Sequence, residues 1–184
     1  GVSLSVANAR PGDKLIVSGT LGDHGIAILA ARTGIELETA LQSDSAALDG
    51  LTQAMLAASS EIHCMRDATR GGLSSSLHEI GAASNVGVVL DERRLPLRSE
   101  VRGACELLGL DPLYVANEGK LVAAVPPHAA EAVLDAMHAH PLGRDAVVVG
   151  EVVAEHPGVV TMRSMIGGER VVAMLGGEQL PRIC

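Results

Sequence analysis

The chain has 184 residues, 47% of them apolar, and a formal charge of −8 with no long Lys/Arg run, which excludes duplex nucleic acid as a partner. One Tyr and no Phe or Trp leave no platforms for stacking single-stranded bases, so the core falls to Leu, Val, Ile, Ala and Met. No stretch is long and apolar enough to span a bilayer, no charged-then-apolar leader opens the chain, and three scattered cysteines suit a reducing cytoplasm better than a disulfide framework.

Residues 1–13 read as a linker, or as a remnant strand from a preceding domain, running into Pro11-Gly12-Asp13. Lys14 to Ser18 is a short apolar run closed by glycine, a buried strand. A helix follows from about His24 to Ala31. Ser43-Asp44-Ser45 offers N-cap chemistry for the next helix, whose apolar stripe is Leu48, Leu51, Met55 and Ala58. After the glycine loop Asp67–Gly72, a third helix carries Leu73, Leu77 and Ile80 on one face. Val86 to Leu90 is strand-like. Ser99 caps a helix with Val101, Ala104, Cys105 and Leu108 on one side, ended by Gly109. Leu121 to Val125 is a strand stopped by Pro126-Pro127, and the helix behind it buries Ala130, Val133, Leu134 and Met137. Ala146 to Val153, Val159 to Met162 and Val171 to Leu175 complete the strands. This alternation predicts one layered α/β domain over residues 14–175, with a mixed sheet covered by helices. Residues 176–184, opening on Gly176-Gly177, form a mobile tail that carries Cys184.

Three polar turns are candidates for chemistry. In Arg66-Asp67-Ala68-Thr69-Arg70-Gly71-Gly72 the two glycines let a backbone approach an anion at a helix start. There Arg70 and Arg66 can fork onto phosphate oxygens. The plainer alternative is a capped helix start, with Asp67 or Thr69 as N-cap and solvated arginines. In Gly22-Asp23-His24-Gly25, His24 is either an acid/base or a surface residue beside a turn-stabilising Asp23. In Asn117-Glu118-Gly119-Lys120 the carboxylate can act as a general base and Lys120 as a phosphate contact; otherwise the segment is a solvated turn. Cys105 belongs to an apolar stripe, and Cys64 is either a low-pKa thiol or a buried strand residue. Cys184 fits no core pattern, and a thiol on a travelling arm can carry a group between sites. His138 and His140 are badly spaced to share a metal, so no protein metal site is expected.

Five segments together resemble the hydrogenase maturation family HypE, within the superfamily of aminoimidazole ribonucleotide synthetase and selenophosphate synthetase. They are Ser18-Gly19-Thr20-Leu21-Gly22-Asp23-His24-Gly25, Arg66 to Gly72, Val101 to Leu110, Ala116 to Lys120, and Pro181-Arg182-Ile183-Cys184. The resemblance implies a three-layer α/β sandwich like the C-terminal domain of aminoimidazole ribonucleotide synthetase. It implies ATP-dependent dehydration of a carbamoyl group on Cys184 to a thiocyanate, the source of iron cyanide ligands. It further implies Glu118 or His24 as base, with Asp67, Thr69, Arg70, Gly71, Gly72 and Lys120 toward ATP phosphates. Mg and ATP would be held mainly by an N-terminal domain that the family has. Partners would be a HypF-type carbamoyltransferase, a HypC–HypD iron scaffold and a second copy in a homodimer. A module that only carries the thiol, and a sister synthetase, are the alternatives.

Overall fold

Five consecutive buried residues, Leu121–Val125, need apolar cover on both faces, and a strand inside a covered sheet supplies it. The computed structural model describes residues 3–34 and 41–174. Leu175, Gly176, Gly177 and Cys184, and with them the expected tail, lie outside the described residues.

The strands are β1 (Lys14–Val17), β2 (Cys64–Asp67), β3 (Gly87–Asp91), β4 (Leu121–Val125), β5 (Val147–Val153), β6 (Val160–Arg163) and β7 (Glu169–Val172). They form one sheet in the order β2-β4-β1-β5-β3-β6-β7. Every pairing is antiparallel except β3 with β6, so the sheet is mixed, as expected. The helices are α1 (Asp23–Thr33), α2 (Asp49–Ala58), α3 (Gly72–Ser84), α4 (Ser99–Leu108) and α5 (Pro127–His138).

Side chains alternate across each strand, so the two faces bury different sets. Leu15, Val17, Val122 and Ala124 face the stripe of α3, Leu73, Leu77 and Ile80. Ile16, Ala123 and Val125 face Leu51 and Met55 of α2 and Val133 and Met137 of α5. The result is three layers around an all-aliphatic core. A satellite cluster joins Ile26 of α1 to Val101, Ala104 and Cys105 of α4 and to Val115.

The helix starts depart from their expected caps. Ser43-Asp44-Ser45 does not cap α2, which begins at Asp49 behind Leu48 with no side-chain cap. Ser99 is the first residue of α4 rather than its cap; Arg98 sits before it, and Ser99 Oγ donates to Glu100 instead. Neither Asp67 nor Thr69 caps α3. That position belongs to Gly71, in the left-handed region at φ 72°. The expected loop is also shorter, because Arg66 and Asp67 end a strand and Gly72 begins a helix. Gly109 does close α4, at φ 66°.

Cys64 and Cys105 are both buried, and burial pushes each thiol from 9.0 up to about 11. Arg66 pulls Cys64 the other way without prevailing. Neither is a nucleophile near neutrality. A thiol pKa raised by folding is lost first in the unfolded chain, so stability falls as pH rises from about 9 toward 11. A maleimide at pH 8 is expected to leave Cys64 and Cys105 unmodified until urea unfolds the protein, and urea midpoints are expected to fall across that alkaline window.

Gly72 holds φ at 61°, and a Cβ there would come within 2.5 Å of the Leu113 carbonyl oxygen and 2.7 Å of that of Val115. Gly109 has a similar φ and open space around it. Replacing Gly72 with Ala is expected to cost about 3 kcal/mol, against about 1 kcal/mol for Gly109→Ala, read as shifts in urea midpoint at constant slope.

Candidate functional site

Because β4 runs antiparallel to both of its neighbours, its first residues lie beside the last residues of β1 and β2. Val122 pairs with Val17, and Leu121 with Asp67. The loops leaving β1 and β2 therefore meet the loop entering β4 at one end of the sheet. These loops carry the three polar turns that the sequence singles out.

Asn117, 1% exposed, ties them together. The Gly22 N–H donates to its Oδ1 (2.8 Å), and its Nδ2 donates to the carbonyls of Ala68 (2.7 Å) and Val115 (3.3 Å). Backbone bonds reinforce the knot: Asn117 N–H to the Ala68 carbonyl, Ala68 N–H to that of Lys120, and Gly25 N–H to that of Ala116. Gly119 completes it by close approach, since a Cβ there would fall 1.8 Å from the Asp44 carbonyl oxygen.

Residues Ser43 and Asp44 gather the candidate side chains. The Glu118 N–H donates to Asp44 Oδ1 (3.0 Å), and Lys120 Nζ pairs with Asp44 Oδ2 (3.0 Å), both partners largely buried. Lys120 is thus already compensated within the chain. His24 is half-buried, with Nδ1 2.7 Å from Ser43 Oγ. Next to it Asp23, 3% exposed, receives Thr20 Oγ1 (2.5 Å) and Arg98 Nε (3.1 Å) on Oδ2.

Two buried side-chain atoms among the described residues have no hydrogen-bond partner, and they are neighbours: Asp23 Oδ1 and His24 Nε2. Leaving such an atom unpaired costs about 1–3 kcal/mol, which marks the spot as one where a ligand or a solvent molecule belongs. A cleft of about 480 Å³ opens beside them, lined among others by Thr20, Asp23, Ser43, Asp44, Arg98 and Lys120.

The glycine turn occupies the same end of the sheet but not the cleft lining. Asp67 and Arg70 are exposed, Thr69 is half-buried, and the Asp67 carbonyl accepts from Ser76 Oγ. Arg66 turns away onto Glu79 of α3 (2.6 Å), which holds its guanidinium above its usual range. Asp67 and Arg70 flank the N-terminus of α3, where the helix dipole favours an anion. Among the described residues no group of three His, Cys, Asp or Glu is placed to hold a metal ion.

Asp44, Arg98 and Asn117 were missed as site residues. Asp44 reads locally as a helix cap, and its partners lie more than seventy positions away. No local signal marks Arg98.

Breaking the Asp44–Lys120 pair leaves an uncompensated charge in a largely buried place. Asp44→Ala is expected to destabilise the chain by about 3 kcal/mol in urea titration. Asp44→Ala combined with Lys120→Met is expected to cost clearly less than the two single changes summed, the signature of a direct pair.

Residues 10–163 match the family described as AIR synthase related protein, C-terminal domain. Over all 184 residues the chain is 55% identical to the carbamoyl dehydratase HypE of Azotobacter vinelandii and covers 54% of it. A crystal structure of hydrogenase maturation protein HypE in complex with ATP matches with a TM-score of 0.92 at 42% identity, over 98% of this chain and 55% of that one. The HypE–HypF complex gives 0.89 at 40% identity, over 93% of this chain and 55% of that one. The chain thus spans about half the length of the curated relatives it matches. It belongs to the AIR synthase related family, as a C-terminal domain of the HypE branch.

Proposed function

We propose that this chain is the C-terminal domain of an ATP-dependent carbamoyl dehydratase of hydrogenase maturation, with Cys184 carrying the substrate. Residues 14–175 are the α/β domain, residues 1–13 the link to a preceding ATP- and Mg-holding domain, and residues 176–184 the arm. A HypF-type carbamoyltransferase places the carbamoyl group on the Cys184 thiol, giving a thiocarbamate. ATP supplies a phosphoryl group that turns the amide oxygen, a poor leaving group, into a good one. Both N–H protons depart as phosphate leaves and C≡N forms, so the thiocarbamate and ATP become thiocyanate, ADP and phosphate. The cyano group then passes to iron on a HypC–HypD scaffold. The full-length protein works as a homodimer.

One observation carries this proposal: the knot of three loops that fixes the Glu118 backbone on Asp44 also holds two orphaned buried polar atoms, Asp23 Oδ1 and His24 Nε2. A carboxylate is suited to take an N–H proton, and Glu118 is assigned that part, with His24 as the nearest rival. Asp67, Thr69, Arg70, Gly71 and Gly72 are assigned to the nucleotide phosphates on the strength of their place at the start of α3. Lys120 is assigned with them; its pairing with Asp44 means that it reaches a phosphate only by exchanging partners.

That compensation favours a second function, a carrier and docking module whose catalysis resides entirely elsewhere. Intact mass separates the two after the full-length protein is incubated with a HypF-type transferase, carbamoyl phosphate and ATP. A carbamoyl adduct absent from Cys184→Ala and then dehydrated is expected. In Glu118→Gln the adduct is expected to form normally and to lose water about 10²–10⁴-fold more slowly. Unimpaired dehydration in Glu118→Gln removes that residue as base, and dehydration insensitive to all of Glu118, His24 and Arg70 leaves only the carrier.

A further inference from the structure

Four of the large apolar side chains left exposed among the described residues fall on one hairpin and its exit. They are Met165 (50%), Ile166 (97%), Val171 (64%) and Met174 (63%). The hairpin joins β6 to β7, and β7 is an edge strand of the sheet, with Glu169, Arg170 and Val171 all exposed. Unprotected apolar edges invite association, and chains normally blunt them.

This hairpin is held firmly. At its turn the Ser164 N–H donates to the Gly168 carbonyl (2.7 Å), and the Gly167 N–H to the Ser164 carbonyl (3.1 Å). The Met165 N–H donates to Glu92 Oε2 (2.8 Å), and Arg93 Nη2 donates to the Met165 carbonyl (2.6 Å). At the far end Arg170 pairs with Asp111, and Tyr114 Oη donates to the Ala173 carbonyl (2.7 Å). Ile166 therefore stands nearly bare on a turn fixed from both sides. Such a pre-ordered apolar knob loses little entropy when a socket covers it.

We infer that the β6–β7 hairpin is the docking surface for the transferase that loads Cys184. This inference rests on the function proposed above. The occupant follows from chain length. Ten residues, 175–184, separate Met174 from Cys184, and fully extended they span ~35 Å. Whatever acts on the thiol must place its active site within that radius of Met174, and the hairpin is the apolar surface at the root of the arm. Docking there holds the thiol at high local concentration near the transferase, as a tether does. The partner should present an apolar socket, sized for Ile166 and Met165, beside the channel that receives the arm.

The test compares wild type with Met165→Ser/Ile166→Ser in the full-length protein, with Leu107→Ser as control, since Leu107 is 77% exposed on α4, outside the hairpin. Binding of a HypF-type transferase is read by calorimetry, and carbamoylation by intact mass across substrate concentrations. The hairpin variant is expected to bind about 30-fold more weakly, as loss of a buried anchor does. Its carbamoylation should show KM raised by a like factor, kcat retained at saturation, and an unchanged melting temperature, while Leu107→Ser behaves as wild type. Wild-type binding and KM in the hairpin variant overturn the inference and leave the proposed function intact. A variant altered only in self-association by sedimentation overturns it too, and assigns the face to a second copy. Failure of wild type itself to be carbamoylated overturns the proposed function along with it.

Discussion

The carboxamide of Asn117 is the group on which the site depends. At the end of the sheet where β1, β2 and β4 meet, the Gly22 N–H and the Ala68 carbonyl turn inward outside the strand ladder, where the Ala68 carbonyl already receives the Asn117 N–H. They need one acceptor and one donor at a fixed separation, away from water. A side-chain amide offers both, whereas an ionised carboxylate offers only acceptors and would face the Ala68 carbonyl with repulsion. Asn117 fills both needs (2.8 and 2.7 Å) and a third with Val115. Glu118 is the next residue, α1 begins just after Gly22, and the turn into α3 begins at Ala68. The backbone positions of Glu118, of the start of α1 and of the turn into α3 thus trace to one buried hydrogen-bonding node.

Two of the three cations lining the cleft are compensated inside the protein, and the third, Arg144, is exposed. Lys120 faces Asp44, and Arg98 faces Asp23. Neither cation is left as a bare phosphate clamp, and the overall charge of −8 supplies no positive background. A hydrogen-bonding group can use the orphaned Asp23 and His24 atoms without upsetting either pair. The exposed Arg70 at the start of α3 is the cation still turned to solvent in the candidate set.

How much of this was legible in the sequence depended on how local the cause was. The β4 run, the α3 stripe and the Gly109 terminus follow from neighbours within a few residues, and all three were read correctly. The caps of α2, α3 and α4 are not. Asp44 has the chemistry of a cap, but its carboxylate is claimed by Glu118 and Lys120, far along the chain. The glycines of the Arg66–Gly72 turn were read as room for an anion. Gly72 is required by carbonyls of Leu113 and Val115, and Gly71 by its left-handed cap position. Single-chain spacing cannot separate these uses, since both require a missing side chain. The three turns were each legible as polar and glycine-bracketed. That they form one site was legible only through the strand order, which depends on long-range pairing.

The chain's single aromatic residue links the loop of Asn117 to the exit of the β6–β7 hairpin. Tyr114 lies three positions before Asn117, on the turn that packs against Gly72, and its hydroxyl holds the Ala173 carbonyl. The last described residues are thereby fastened to the loop that carries Glu118, not only to the sheet edge. A tyrosine suits this better than an aliphatic side chain, because its ring packs against the core while its hydroxyl reaches a backbone group outside.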